Sequence, residues 1–292
     1  MKNKKITIFI SSVFICLIPG IQFSVMKLSH ISATNPITFL WARFLLAYIS
    51  ALIIAKIKNV ELSYDKRVIT LSLIHPMAAF YLQILSSRLS EVTAISVITA
   101  TSPAVISLMG QLSGKEKLSE KSFIYIALCV AGGITASSSH GISGLFSPGS
   151  AFMLFSVILR GVYYVKSGNI TKEISPASLS FSQITYAFIG YSILLILSGE
   201  QLTLPMEISI AGELLCIAYM GILSTTAAYF LNNYLLKNLS VSVNGAITAL
   251  SFVVSLIGAA IINKETITWS IITGASIILI SVILLVREKA RK

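Results

Sequence analysis

The chain has 292 residues, of which 55% are hydrophobic and 11% charged, with a mean hydropathy of +0.86. Soluble domains carry about 25% charged residues, so this composition excludes a water-soluble globular protein and points to a membrane helical bundle. The formal net charge of +11 invites a nucleic-acid partner, but the placement of the basic residues, set out below, gives it a different cause and argues for no nucleic-acid binding.

In chain order, the opening MKNKKITIFISSVFICLIPG has the basic front and apolar run of a signal peptide, yet no A-x-A-like cleavage site follows, so it reads as a first span. Hydropathy punctuated by breakers predicts ten spans, at about residues 6–27, 37–55, 68–86, 92–112, 122–138, 149–165, 180–198, 209–230, 241–262 and 267–286. The connections are too short to hold a soluble domain, which places function within the membrane.

Lysines and arginines gather at alternate connections: Lys2, Lys4 and Lys5 before the first span, Lys56, Lys58, Lys66 and Arg67 in the second loop, Lys115, Lys117 and Lys121 in the fourth, Lys166 and Lys172 in the sixth, Lys237 in the eighth, and Arg287, Lys289, Arg291 and Lys292 in the tail. That asymmetry makes one side cytoplasmic, with both termini on it, as an even number of spans requires. The expected location is a bacterial inner membrane, where the basic patches also meet anionic lipid headgroups of the bilayer. Cys16, Cys129 and Cys216 all fall in apolar stretches and offer neither a disulfide framework nor a metal pattern, so no metal and no cofactor is expected.

The two halves of the chain repeat. Asn35-Pro36 through Arg43 to Ala47 aligns with Ser175-Pro176 through Gln183 to Ala187, at an offset of 140. Phe80 through Gln83 to Ser90 aligns with Phe230 through Asn233 to Ser240 at 150, and Lys115-Glu116 aligns with Lys264-Glu265 at 149. The expected units are residues 1–140 and 141–292, with five spans each. An odd number of spans turns the second unit upside down relative to the first, so the expected fold is an all-α membrane protein of two inverted five-helix repeats. Such pseudo-symmetry supplies the two near-equivalent states that alternating access needs.

With these motifs the chain resembles the drug/metabolite transporter superfamily, and within it the EamA-type family of two repeats and ten spans. The residues that carry the resemblance are NPITFLWARFLLA, TSPAVISLMGQLSGKEKLS and GILSTTAAYFLNNYLLKNLSVSVNGAITALSF followed by INKETIT. In that family a proline commonly sits in the fourth and ninth spans and a Gly-Glu pair closes each. Here Pro103 keeps the first position, Phe252 stands at the second, and Lys-Glu replaces Gly-Glu in both repeats. The resemblance implies efflux or exchange of small metabolites such as amino acids, through a central cavity between the halves and without ATP. No G-x-x-x-x-G-K-[ST] loop is present.

Two arginines sit within spans. Arg43 lies seven residues beyond Pro36, roughly 10 Å into its helix, and Arg160 is deeper. A buried arginine costs about 2.5–3.5 kcal/mol on insertion scales and therefore faces a bundle interior; its bland reading is a structural cation satisfied by carbonyls. Of the carboxylates only Glu213 enters a span, near its end, so the cations lack internal partners and favour an anionic or zwitterionic small-molecule substrate. Amides and aromatics complete the candidate surface: Gln22, Gln83, Gln183, Asn232, Asn233, Tyr81 and Tyr163, with Tyr164 and Tyr186 ranked below the amides. His75, ahead of Pro76, is a candidate for proton coupling, set against a packed histidine beside a kink. Glu116 and Glu265 are expected to cap helix ends or pair with neighbouring lysines.

The alternative to efflux or exchange is an uptake permease for a specific metabolite such as S-adenosylmethionine or a phosphate ester, and two rivals from other classes are weighed against a carrier. An intramembrane enzyme needs a partnered nucleophile or a metal set, and neither H-E-x-x-H nor G-x-S-x-G occurs. A channel needs a filter or charged ring. Monomer and homodimer are both compatible with the sequence.

Overall fold

The structure, a computed structural model, describes residues 2–29, 35–114, 118–137, 147–199 and 210–290, and among them every regular element is helical. In chain order these are α1 (Lys2–Leu28), α2 (Pro36–Lys58), α3 (Lys66–Leu89), α4 (Val92–Leu112), α5 (Glu120–Ser137), α6 (Pro148–Glu173), α7 (Pro176–Ser198), α8 (Ala211–Asn238), α9 (Val241–Ala249 continuing as Ser251–Ile261) and α10 (Trp269–Ala290). Seven of them, α1 to α4 and α6 to α8, are long and apolar enough to cross a membrane. Ser251–Ile261 and Trp269–Leu285 are shorter apolar helices. Large apolar side chains such as Phe9, Ile57 and Leu197 point outward. Such a surface suits lipid, in which every backbone polar group must be satisfied within a helix.

The aligned motifs build the same local structure twice. Asn35 caps α2, its side chain accepting from Thr38 N at 3.0 Å, and Ser175 caps α7, accepting from Ser178 N at 3.1 Å. In each case the next residue is a proline at the first helical position, where its missing N–H costs nothing and its fixed φ fits. The far ends match too: α2 stops at Asn59 (φ 51°) and α7 at Gly199 (φ 64°), both left-handed. That conformation suits glycine and is tolerated by asparagine.

The third helix of each half departs from α geometry near its middle: α3 kinks at His75, whose φ and ψ (−148°, 116°) are not helical, ahead of Pro76, and α8 widens into a π-helical segment over Tyr219–Ala227. In α8, Thr225 and Thr226 return their hydroxyls to carbonyls five residues back. The fourth helix of each half breaks at one residue, Thr101 in α4 and Leu250 in α9, and both breaks tighten into i→i−3 bonds of 3.1 Å. Gly132 and Gly274 bring α5 and α10 backbone to backbone: a Cβ on Gly132 would lie 2.8 Å from the Gly274 carbonyl. Small residues permit this approach where lipid supplies no hydrophobic drive.

Two expected boundaries move. Helices α6 and α8 run on to Glu173 and Asn238, so Lys166, Lys172 and Lys237 lie on final helical turns and not in loops. Hydropathy ends a span at its first lysines, whereas the hydrogen-bond ladder continues while long stems carry the charges outward. Lys115, Glu116 and Lys117 lie outside the described residues.

Candidate functional site

Between the halves lies a cavity of about 80 Å³, walled by α1, α3 and α4 from the first half and by α6, α8 and α9 from the second. Helix α1 contributes Ile15, Pro19, Gln22 and Phe23, and α6 contributes Arg160, Tyr163 and Tyr164. Ser224, Ala228 and Asn232 come from one face of α8 with Tyr229 beside them, His75 and Phe80 from the kink of α3 and the turn after it, and Thr99, Thr248 and Ser251 from beside the two breaks. The helical spacing of three and four residues sets each stripe on one face.

Among the described residues that line the cavity, Arg160 carries a permanent charge and none is a carboxylate. Its Nε is buried without a hydrogen-bond partner. Aromatic rings surround it. His75 stacks on Tyr163 with centroids 4.5 Å apart, meets Phe80 edge-on at 5.1 Å, and its Nδ1 shares a 2.5 Å hydrogen bond with the Tyr229 hydroxyl.

The wall amides are fixed from behind by two relays whose directions are set by backbone carbonyls. Ser156 Oγ donates to Ala79 O (3.0 Å), so it accepts from Gln83 Nε2 (3.1 Å); Gln83 Oε1 then accepts from Gln22 Nε2 (3.0 Å), and Gln22 Oε1 accepts from Ser224 (2.5 Å). In the other half Ser180 Oγ donates to Pro176 O and Tyr229 O and accepts from Asn233 Nδ2 (2.9 Å), which also donates to Gln183 Oε1 (3.0 Å). Asn233 Oδ1 therefore accepts from the Tyr163 hydroxyl (2.9 Å), which in turn accepts from Asn232 Nδ2 (3.1 Å), and Asn232 Oδ1 accepts from Asn244 (2.9 Å). Gln83 and Asn233, aligned in the sequence, each stand one layer behind the cavity and hold a lining side chain in place.

Of the residues singled out from the sequence, the cavity brings together Gln22, His75, Arg160, Tyr163, Tyr164 and Asn232. Gln83, Gln183 and Asn233 support it from behind. Arg43 does not line it: fully buried, it donates from Nε to Thr225 Oγ1 at 2.8 Å and lies over the Phe80 ring at 4.3 Å, with both terminal nitrogens unpartnered. Tyr81 is not part of the wall, and Tyr186 donates to Ser63 O at 2.7 Å, away from it. Sequence reasoning missed Phe23, Phe80, Thr99, Ser224, Tyr229, Thr248 and Ser251. The four-residue spacing from Ser224 to Asn232 was a usable signal for that face.

Glu265 pairs otherwise than expected. Its carboxylate accepts from the amides of Val92 and Thr93 (2.8 Å each) and from the Thr93 hydroxyl (2.6 Å), and it pairs with Lys27 at 3.1 Å instead of the adjacent Lys264. It thus caps α4 from the other half, where Glu91 makes no side-chain cap. Burial pushes this carboxyl up, but the hydrogen bonds from Thr93 and Val92, together with Lys27, outweigh it and hold the group below the usual glutamate range. At another helix end Arg67 bridges Asp65 (2.6 Å) and Glu173 (2.7 Å), and its hydrogen bonds hold both carboxyls low.

Residues 6–138 and 147–287 each match the EamA-like transporter family. Over 293 residues the chain is 22% identical to the uncharacterized transporter YcxC of Bacillus subtilis (strain 168), covering 97% of this chain and 94% of that one. A solved crystal structure shares the fold at a TM-score of 0.74 and 15% identity, over 96% of this chain and 97% of its own. With two family matches that together take up nearly all of its length, the chain belongs to the EamA-like transporter family.

Proposed function

We propose that the chain is a secondary carrier that exports or exchanges small metabolites by alternating access, with the cavity around Arg160 as its substrate site. In this reading all of α1 to α10 cross a bacterial inner membrane, the units 1–140 and 141–292 are inverted copies, and both termini are cytoplasmic. The observation that carries it is Arg160, a permanent cation with no carboxylate beside it, in a cavity walled by both repeats. A charge so placed draws its counter-ion from the solute. Paired breaks at Thr101 and Leu250 beside the cavity give each repeat a matching joint, as exchange between two near-equivalent states demands.

The test is uptake into proteoliposomes of a panel of solutes sorted by charge. Acidic or zwitterionic solutes accumulate saturably, and Arg160→Ala lowers that uptake about tenfold or more, as loss of a desolvated charge partner does. Arg43→Ala changes the amount of folded protein and leaves solute selection as it was. Uptake confined to cations, or an Arg160→Ala protein that carries anions normally, overturns the assignment of the site.

A further inference from the structure

Resting on that reading, the chemistry of the cavity narrows the solute further. We infer that the carried solute is a small monocarboxylate with an apolar body and no amino group.

Three observations converge on this. The first is charge. Arg160 is the lone permanent charge among the described lining residues, so a monoanion brings the occupied cavity to neutrality. An amino acid leaves the arginine's charge uncompensated and sets an ammonium in a space with no carboxylate to receive it.

The second is the state of the remaining polar groups. The side-chain carbonyls of Gln22 and Asn232 already accept from Ser224 and Asn244. The Tyr164 hydroxyl donates to Thr248, whose own proton goes to backbone carbonyls of its helix. Among the described lining groups, Arg160 Nε and Thr99 Oγ1 are the buried polar atoms left without a partner. The amide nitrogens of Gln22 and Asn232 each keep one N–H beyond their bonds to Gln83 and Tyr163, and the charged donor beside them is the Arg160 guanidinium, whose planar fork fits the two oxygens of a carboxylate. A phosphate monoester carries about −1.5 to −2 near neutral pH, more than the one arginine compensates.

The third is size and lining. A volume of about 80 Å³ corresponds to roughly six water-sized spheres, and beyond the arginine the solute meets the rings of Phe23, Phe80 and Tyr229. Those faces suit a short branched or cyclic hydrocarbon body.

The experiment measures binding to the purified full-length protein by thermal shift and tyrosine fluorescence at neutral pH. The probes are matched sets with a common body: 4-methylpentanoate, leucine, 3-methylbutylamine and 3-methylbutyl phosphate, with a second set built on a phenyl ring. The carboxylates bind about tenfold or more tighter than their amino-acid partners, since a like charge beside Arg160 is penalised. That binding is lost in Arg160→Met, weakened in Arg160→Lys, which keeps the charge without the fork, and retained in Arg43→Met. Amino acids binding as tightly as the carboxylates, a preference for the phosphate esters, or carboxylate binding that survives Arg160→Met in a protein that is still monodisperse would each overturn the inference. If no carboxylate binds while proteoliposomes still accumulate some other solute, the inference fails and the carrier stands; if no solute of any charge is carried, both fail.

Discussion

Arg43 and Arg160 send one signal from the sequence, a cation within an apolar helix, and end in different surroundings. Arg43 is sealed between α2 and α8, tied to Thr225 and laid on Phe80. Arg160 touches open cavity space with its hydrogen-bonding capacity unspent. The fourth helices teach the converse. Thr101-Ser102-Pro103 and Leu250-Ser251-Phe252 differ in the residue best known for breaking helices, yet build the same one-residue break. Residue type alone does not assign a role in this bundle; the neighbours do.

The largest expected effect follows from the arginines. Arg160→Met removes solute recognition and leaves thermal stability close to that of the parent protein, because the side chain faces a cavity. Arg43→Met does the reverse of a functional knockout: it keeps volume while removing two unpartnered nitrogens from a closed interior, and replacement of a buried ion by an apolar residue of similar size is often neutral or stabilising. Arg43→Ala instead leaves a void beside Phe80 and is expected to cost about 2–4 kcal/mol, read as a lowered unfolding temperature in detergent. If Arg43→Met also abolishes transport, the comparison breaks and both arginines belong to the substrate path.

A smaller effect is expected at Glu265, where a charge has every partner it needs. Glu265→Ala uncaps α4 and is expected to cost about 1–3 kcal/mol locally, seen as faster hydrogen exchange at the Val92 and Thr93 amides. The pH dependence has a definite sign. A carboxyl held below its unfolded value, about 4.3, contributes its full stabilisation above that value and loses it as pH falls through the lower native one. Protection of the α4 terminus is therefore constant across neutral pH and fades only in acid; a change between pH 6 and 8 would contradict the ionised cap.

Much of this architecture was legible. Periodicity and charge placement located the helices, and Asn35-Pro36 with Ser175-Pro176 marked the starts of α2 and α7 because capping and a proline at the first position are local effects. The kink of α3 was legible in His75-Pro76, but the π segment of α8 was not, since an i→i+5 register is chosen by packing around Thr225 and not by local preference. Nor was the division between Arg43 and Arg160, which depends on which way each helix is turned. Glu265 finding the start of α4, 173 residues away, is a tertiary contact with no trace in its Lys-Glu context.

The smallest effect is expected at Pro103, and it sharpens the lesson of the paired breaks. If the proline makes the break, α4 should straighten in Pro103→Ala. In α9 the same geometry stands on Phe252, with Leu250 N donating to Ile247 O as Thr101 N does to Ile98 O, and with Ser251 returning its hydroxyl to Thr248 O as Ser102 does to Thr99 O. Packing and the serine therefore hold the turn, and the proline sits near the start of the second segment, where its missing N–H is least felt. Pro103→Ala is expected to change stability by less than about 1 kcal/mol. The distance between spin labels on exposed Glu91, at the start of α4, and Leu112, measured by pulsed electron resonance in a cysteine-free background, should stay unchanged. A lengthening toward the roughly 32 Å of an unbroken helix of that span would mean that proline holds the first break, and that the two repeats reach one shape by different forces.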